Sequence, residues 1–337
     1  MIAEATHDGE GNEPAGSRRG TVGREPTAGE AVGDAPASCA ADGRSATTSG
    51  RTASRWRWLG TRVVVVLVAV TVVPVALLWV FQDLMVFAAT DDVPPIAQIA
   101  PGARELTYVA ADGTTLAGWY FPARARPTGC DHQPAVVLFH GQASTRASET
   151  PLATALAAHG VSVLVAEYRG FGGAEGAPSE DGLVLDAHAA ADALGHQAGV
   201  DPAHLGYIGY SLGTGVAVRL AAERRPDALV LLAPYTSLPD MAWERLPGLP
   251  YRLLMRARFD SLEHIRHVDA PVLVVTGTAD EVIPNEQSRR VYEAARHPAA
   301  HVEIPGADHL GVDRSAAGPA IEALTDVVLT GAGCPSS

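Results

Sequence analysis

The chain has 337 residues, of which 47% are hydrophobic and 19% charged, so it is long enough to bury a core of ordinary size. Its formal net charge of −13 lies entirely on residues 83–337, because the acidic residues of 1–62 are matched by an equal number of arginines. An acidic domain without a basic stripe argues against nucleic acid as a partner. Cys39, Cys130 and Cys334 form no C-x-x-C pair, so neither a zinc site nor a dense disulfide scaffold is indicated.

Residues 1–62 are predicted to be a disordered tail. As far as about residue 54 they consist mainly of Gly, Ala, Ser, Thr, Glu, Pro and Arg, without periodicity. Such a composition cannot bury enough apolar surface to offset the chain entropy lost on folding.

The next segment, 63–82, is predicted to be a transmembrane helix. Val63 to Phe81 carries no charge over 19 residues, close to the roughly 20 that a helix needs to cross a bilayer. Four arginines between 51 and 62 precede it and acidic residues follow it, so the positive-inside rule puts the tail in the cytoplasm and 83–337 outside. The alternatives are a cleaved signal peptide and a buried core helix. The run is longer than the usual signal core of about 7–15 residues.

After a linker at 83–104, residues 105–331 alternate short apolar runs with helical patterns, which predicts a mostly parallel sheet with helices on both faces. An Asp-Gly turn at 112–113 predicts an opening antiparallel hairpin. The predicted strands are 105–110, 115–121, 135–140, 161–168, 205–209, 228–233, 271–276 and 301–304. The predicted helices are 149–159, 180–198, 212–225, 286–296 and 317–329.

A G-x-S-x-G motif places a candidate nucleophile, Ser211, between a strand and a helix. This is the context of a nucleophile elbow, in which a sharp turn lifts the serine hydroxyl onto the positive end of a helix. A serine hydroxyl needs a general base, and the base needs an acid that fixes its tautomer. His309 and Asp280 follow in the expected order, each just past a strand. Glu281 and Asp308 are the alternatives to Asp280.

Oxyanion stabilisation requires two amide donors beside the nucleophile. The backbone N–H groups of Gln142, after the strand that ends in His140, and of Leu212, after the nucleophile, are the candidates. His140 is interpreted as a residue that shapes this loop.

Together with the triad residues, several short motifs identify a resemblance to the α/β-hydrolase superfamily across 100–330. Within it, the chain is similar to membrane-anchored serine hydrolases of the abhydrolase-domain type related to fungal bud-emergence proteins. The matching motifs are Phe81-Gln82-Asp83, Ala111-Asp112-Gly113, Gly118-Trp119-Tyr120, Phe139-His140-Gly141, Glu167-Tyr168-Arg169-Gly170-Phe171-Gly172, Glu175-Gly176 and Pro178-Ser179-Glu180. The resemblance implies a Ser211–Asp280–His309 triad bordered by the loop 168–173. Gln142 departs from the Asn that is frequent in this group.

The resemblance also implies that 234–270 form a lid, which its length limits to one or two short helices. Leu238, Met241, Trp243 and Leu246 would either border an open pocket suited to acyl chains or pack the lid against the body.

These observations predict hydrolysis of an ester or thioester, of acyl or lipid-like character, through an acyl-enzyme and without a metal or organic cofactor. An amidase or peptidase using the same triad is one alternative, and a non-catalytic anchored binding protein is another. Outside the membrane, Cys130 and Cys334 can form a disulfide, while Cys39 stays reduced in the tail.

Overall fold

Eight strands form one sheet in the computed structural model, which describes residues 49–90, 93–318 and 320–334. The spatial order is β1-β2-β4-β3-β5-β6-β7-β8; β1 and β2 pair antiparallel, β2 meets β4 antiparallel, and all other pairs are parallel. The predicted mostly parallel sheet with an opening hairpin is therefore confirmed. The strands are β1 Arg104–Val109, β2 Thr115–Phe121, β3 Ala135–Phe139, β4 Ser162–Ala166, β5 Gly206–Tyr210, β6 Leu229–Leu232, β7 Val272–Gly277 and β8 Pro298–Ile304.

The helices of the described residues follow most strands, as the alternating pattern predicts, with additions in the lid and after β8. They are α1 Ser49–Val86, α2 Ile96–Ile99, α3 Thr150–Ala158, α4 Glu180–Gly195, α5 Leu212–Glu223, α6 Leu238–Arg245, α7 Tyr251–Leu254, α8 Ser261–His264, α9 Asn285–Ala294, α10 His309–Ala316 and α11 Ile321–Gly331. A short 3₁₀ helix, Ile265–His267, follows α8.

The strand order places helices on both faces of the sheet. The β3-to-β4 connection runs toward the β1 edge, whereas β4-to-β5 runs back toward the other edge. Because parallel crossovers are right-handed, α3 and α4 must cover opposite faces. Their contacts agree, since α3 touches α10 and α11 while α4 touches α5.

The central strands are buried along their whole length. Every residue of β3, β4, β5, β6 and β7 is buried. This explains why they read as continuous apolar runs rather than as alternating polar and apolar positions. The core lies between the sheet and its two helix layers, and it fixes where the carboxyl ends of the strands emerge.

Arg169 joins the hairpin turn to the helix layer. Its guanidinium contacts an oxygen of Asp112 at 2.6 Å and an oxygen of Asp186, on α4, at 2.7 Å. The hydrogen bond from Arg169 lowers the pKa of the Asp112 carboxyl below its usual range. Within the predicted loop 168–173, Arg169 therefore has a structural role.

Helix α1 is longer than the predicted span. It begins at Ser49, inside the segment predicted to be a disordered tail, and continues to Val86, inside the predicted linker. Extending an existing apolar helix needs no new nucleation, so flanking residues join it readily. The part from Ser54 to Val86 is long and apolar enough to cross a membrane. The prediction of disorder for residues 1–48 lies outside the described residues.

The predicted lid contains more helical segments than the expected one or two. Residues 234–270 hold α6, α7, α8 and the 3₁₀ helix. Pro247 and Pro250 separate α6 from α7, because proline cannot continue a helix that precedes it. Ser237 starts α6 as its N-cap, accepting a hydrogen bond from the Asp240 amide at 3.1 Å.

The hypothesised Cys130–Cys334 disulfide is present in the structure. The two Cα atoms lie 4.7 Å apart and the cysteines are 204 residues apart in sequence. Both side chains are buried. The bond ties the loop before β3 to the chain end after α11.

Reduction of this disulfide should lower the free energy of unfolding by about 2–5 kcal/mol, because a cross-link that closes a long loop restricts the unfolded chain. Urea unfolding of the full chain with and without reductant measures the change. The Cys130→Ser/Cys334→Ser variant should match the reduced protein and ignore reductant. Equal unfolding midpoints for oxidised and reduced wild type would contradict the prediction.

Candidate active site

Ser211 lies in a strained turn between β5 and α5. Its φ is 50°, in the left-handed region that non-glycine residues rarely adopt. The turn requires glycine on both sides: a Cβ on Gly209 would lie 2.4 Å from the Gly213 carbonyl oxygen, and one on Gly213 would lie 2.1 Å from the Phe139 carbonyl oxygen. The motif letters thus reflect the close approach of β5, α5 and the end of β3.

The structure brings Ser211, His309 and Asp280 together in one hydrogen-bonded chain. The Nε2 atom of His309 lies 3.0 Å from the Ser211 hydroxyl oxygen, and its Nδ1 atom lies 2.8 Å from a carboxylate oxygen of Asp280. The three residues are separated by up to 98 positions in sequence. Their assembly follows from the sheet, because parallel strands present their carboxyl ends at one edge.

Both carboxylate oxygens of Asp280 have hydrogen-bond partners. One oxygen faces His309, and the other accepts hydrogen bonds from the Val282 and Ile283 amides, both at 2.8 Å. Burial would raise the pKa of Asp280, but the His309 hydrogen bond and the backbone N–H groups outweigh it and lower this pKa. The alternatives lie elsewhere: Glu281 is exposed, and Asp308 accepts a hydrogen bond from Gly311 as the N-cap of α10.

Tyr210, the residue before the nucleophile, positions the histidine. Its hydroxyl donates to the His309 carbonyl oxygen at 3.1 Å, and the two rings stack with centroids 5.3 Å apart. The motif G-x-S-x-G leaves this position free, so the sequence pattern carries no signal for the role.

The predicted oxyanion loop packs directly on the nucleophile. A Cβ on Gly141 would lie 3.3 Å from the Ser211 Cβ, so the loop packs against the serine at the residue before Gln142. Leu212 opens α5, so its N–H belongs to the group that a helix leaves without an internal partner. The Gln142 side chain donates to the Met85 carbonyl oxygen, near the end of α1.

A buried ionic network supports this loop. The His140 Nε2 atom lies 2.7 Å from one oxygen of Glu167, and the Arg146 guanidinium lies 2.9 Å from the other. Burial would raise the pKa of Glu167, but His140 and Arg146 overcome that effect and lower it. The interpretation of His140 as a loop-shaping residue agrees with these contacts. No sequence motif marks the role of Arg146.

A second buried carboxyl group lies beside α10, the helix that begins at His309, and has no cationic partner among the groups that act on it. Glu149 precedes α3, is only 1% exposed and interacts with the carboxyl group of Asp313 on α10. Burial raises the pKa of Glu149 well above its usual value, and the Asp313 charge raises it further. Burial also raises the pKa of Asp313.

Because Glu149 holds its proton more tightly when folded than when unfolded, it favours folding at low pH and disfavours it as the pH rises above about 4.3. Glu149→Gln removes this group, so the variant should gain stability relative to wild type between pH 5 and pH 8. Urea midpoints across that range measure the difference. The matched control is Glu175→Gln, at an exposed position. Its urea midpoints should change with pH in the same way as those of wild type. A Glu149→Gln curve parallel to wild type would refute the assignment.

One group outside this site has the composition of a metal-binding cluster. Potential ligand atoms of His132, His204 and Asp227 lie within 4.8 Å of one another. Each residue precedes a strand, so the cluster sits at the amino ends of β3, β5 and β6, on the edge opposite Ser211. It therefore has no direct part in chemistry at the serine. The absence of a cofactor in the reaction remains a prediction.

Of the four lid residues named from the sequence, three take one of the two roles considered for them. Leu238 and Met241 are partly buried and pack against the core. Trp243 is exposed. Leu246 lines an apolar groove of about 300 Å³ between α1 and the lid.

The chain is similar in sequence to one family model and to several known proteins. Residues 131–258 match the family model described as serine aminopeptidase, S33. An uncharacterized protein of Mycobacterium tuberculosis is 41% identical over 256 residues, covering 76% of this chain and 89% of that protein. The lysophosphatidylserine lipase ABHD12 of Danio rerio is 33% identical over 182 residues, covering 48% of this chain and 47% of the lipase.

Among solved structures, an esterase of Pyrococcus furiosus superposes with a TM-score of 0.56 at 19% identity, covering 72% of this chain and 97% of the esterase. At that identity the superposition shows a common fold.

Proposed function

The chain belongs to the α/β-hydrolase superfamily, and from that premise we propose that it is a serine hydrolase that cleaves a carboxylic ester or thioester through an acyl-enzyme. The observation that carries the proposal is the continuous hydrogen-bonded chain from the Ser211 hydroxyl through His309 to Asp280. A serine hydroxyl is a weak nucleophile unless a base is placed to take its proton.

In the proposed reaction the Ser211 oxygen attacks the substrate carbonyl carbon while His309 Nε2 takes the hydroxyl proton. Asp280 stabilises the resulting imidazolium and keeps its ring oriented. The amides of Gln142 and Leu212 donate to the oxyanion. Collapse of the tetrahedral intermediate breaks the bond to the leaving group, which receives the proton from His309. Water then attacks the acyl-enzyme by the same steps and releases the acid.

Two considerations favour an ester or thioester over an amide. The Danio rerio relative is a lipase, and the superposed Pyrococcus furiosus structure is an esterase. An apolar groove also lies beside the lid, as an acyl chain would require. The match to a serine aminopeptidase model supports the alternative of an amidase or peptidase with the same triad. A binding protein that has lost catalysis is disfavoured, since none of the three triad positions has been replaced by an inert residue.

We further propose that residues 63–82 anchor the protein in a membrane, with the N-terminus in the cytoplasm and the catalytic domain outside. Support comes from the length and apolar character of α1 and from the arginines before residue 63. The disulfide is consistent with an oxidising compartment.

Substituting Ser211 with Ala should abolish both labelling of the full chain by a fluorophosphonate probe and ester hydrolysis, with kcat falling by a factor on the order of 10⁴ or more. Asp280→Asn should lower kcat by about 10⁴, because the amide favours the wrong histidine tautomer. The matched control is Ser148→Ala, at an exposed serine between β3 and α3, which the probe should label as it labels wild type. Labelling that survives Ser211→Ala, or its absence from folded wild type, would overturn the proposal.

Protease added to spheroplasts should digest residues 83–337 and leave an N-terminal tag intact, because the proposed topology exposes only the catalytic domain. In inside-out vesicles the pattern should reverse. Immunoblotting for tags at the two termini measures both. Loss of the N-terminal tag from the membrane fraction before any protease is added would indicate cleavage of a signal peptide instead.

A further inference from the structure

An apolar groove of about 300 Å³ separates the last turns of α1 from the lid. That volume is at the lower end of the range of ligand pockets, about 300–1,000 Å³. One wall comes from α1 and the other from α6, α7 and their connections. Representative lining residues are Val75, Leu78 and Met85 on one side and Ala242, Arg245 and Leu246 on the other.

The lining suits a hydrocarbon chain. Among the residues that form it, Arg245 is the only charged one, and its guanidinium donates to the Val282 carbonyl oxygen at 3.2 Å. The remaining walls are mostly aliphatic or aromatic. Such a surface gains binding free energy in proportion to the apolar area that a guest buries.

Both walls of the groove are joined to the catalytic loops. On the α1 side, the Met85 carbonyl oxygen accepts a hydrogen bond from the side chain of Gln142, whose amide is the proposed oxyanion donor. On the lid side, Arg245 binds the carbonyl of Val282, whose own amide donates to Asp280. The groove is thus bracketed by the loops on either side of Ser211.

Two polar residues fix the separation of the walls. Gln82 is buried; its side-chain oxygen accepts from the Arg256 amide at 2.7 Å, and its amide group faces the Leu254 carbonyl oxygen at 3.4 Å. Asp83 forms an ion pair with the Arg256 guanidinium at 2.8 Å. These contacts give a structural reason for the Gln-Asp pair that ends the apolar run.

The α1 wall also determines where a guest would come from. With the membrane span at 63–82, Val75 and Leu78 lie within the outer part of the bilayer, and Met85 lies just beyond it. A chain entering between α1 and the lid would therefore leave the hydrocarbon region between the segments that hold Gln142 and Val282. A soluble ester would have no need of a wall embedded in lipid.

We propose that this groove binds the acyl chain of a bilayer lipid ester and holds its carbonyl at Ser211. The inference rests on the proposed serine hydrolase function and assigns its substrate class: an amphiphile with one long acyl chain, taken from the leaflet that faces the catalytic domain.

The test uses the full chain reconstituted in phosphatidylcholine vesicles, with glycerol monoesters of acyl chains from two to twelve carbons as probes. For wild type, kcat/KM should rise about fourfold per added methylene until the groove is filled. Val75→Phe and Ala242→Phe fill the groove from opposite walls. Each should lower kcat/KM for the dodecanoyl ester at least tenfold and leave the acetyl ester within twofold.

Matched controls separate groove filling from other effects. Val80→Phe places the same side chain on an exposed position of α1, and Glu244→Phe does so on an exposed position of α6; neither residue lines the groove. Both controls should keep the wild-type chain-length dependence. Fluorophosphonate labelling at the wild-type rate reports that each variant is folded. If Ala242→Phe fails to label, Val75→Phe decides the question, because an exposed membrane helix accepts an aromatic side chain.

The outcomes are distinct. Hydrolysis of the acetyl ester without a rise toward dodecanoyl would overturn the groove assignment and leave the serine hydrolase intact. The groove assignment would also be overturned if Val75→Phe and Ala242→Phe are labelled and yet keep the wild-type dependence of kcat/KM on acyl-chain length. Equal rates with the dodecanoyl ester held in the vesicles or supplied on albumin would reject the bilayer as the source. Absence of Ser211-dependent labelling in wild type would reject both the function and the groove assignment.

Discussion

The site depends above all on the close approach of three backbone segments at Ser211. The serine adopts a left-handed conformation, at a cost of about 1–3 kcal/mol. That turn is accessible only because Gly209 and Gly213 lack side chains where β5, α5 and the end of β3 meet. Once the serine is fixed there, the carboxyl ends of β7 and β8 bring Asp280 and His309 within hydrogen-bonding reach. The strain is stored in a sheet whose central strands are fully buried and cannot yield locally.

Two buried carboxyl groups of this region differ in charge: Glu167 is ionised, whereas burial favours the neutral form of Glu149. Glu167 is paired with His140 and Arg146 and stays charged, so it holds both ends of the segment 140–146. Glu149 has the carboxyl group of Asp313 and the Ser144 side chain as neighbours, without a compensating cation, and burial favours its neutral form. Glu167 and Glu149 differ in charge because they differ in neighbours. A buried carboxylate stays ionised where nearby opposite charges compensate for the hydration that it loses on burial. The first arrangement gives rigidity to the loop that follows β3, and the second makes the contact between Glu149 and Asp313 on α10 sensitive to pH.

Helix α1 combines two roles under our proposals. Its length and composition suit a membrane anchor, and its last turns also form one wall of the groove beside the lid. The Gln82 and Asp83 contacts with the chain around Arg256 hold these turns against the body of the enzyme. An anchor attached in this way fixes the orientation of the site relative to the lipid surface, whereas a flexible linker would only limit its distance. Substrate delivery and membrane attachment then share one structural element.

The sequence by itself determined the alternation of strands and helices, the nucleophile turn and the order of Ser211, Asp280 and His309, because period-two and period-3.6 patterns and glycine constraints are local properties. It missed α10, which begins at His309 itself, since Gly311 weakens the helical pattern and the cap at Asp308 reads equally well as a loop acid. It also gave no sign of the roles of Tyr210, Glu149 or Arg146. Those roles arise from contacts between residues far apart in the chain, such as Tyr210 with His309 and Arg146 with Glu167. Only the tertiary structure decides such contacts, because burial and partner, rather than residue type, determine whether a polar group is paired, neutral or free.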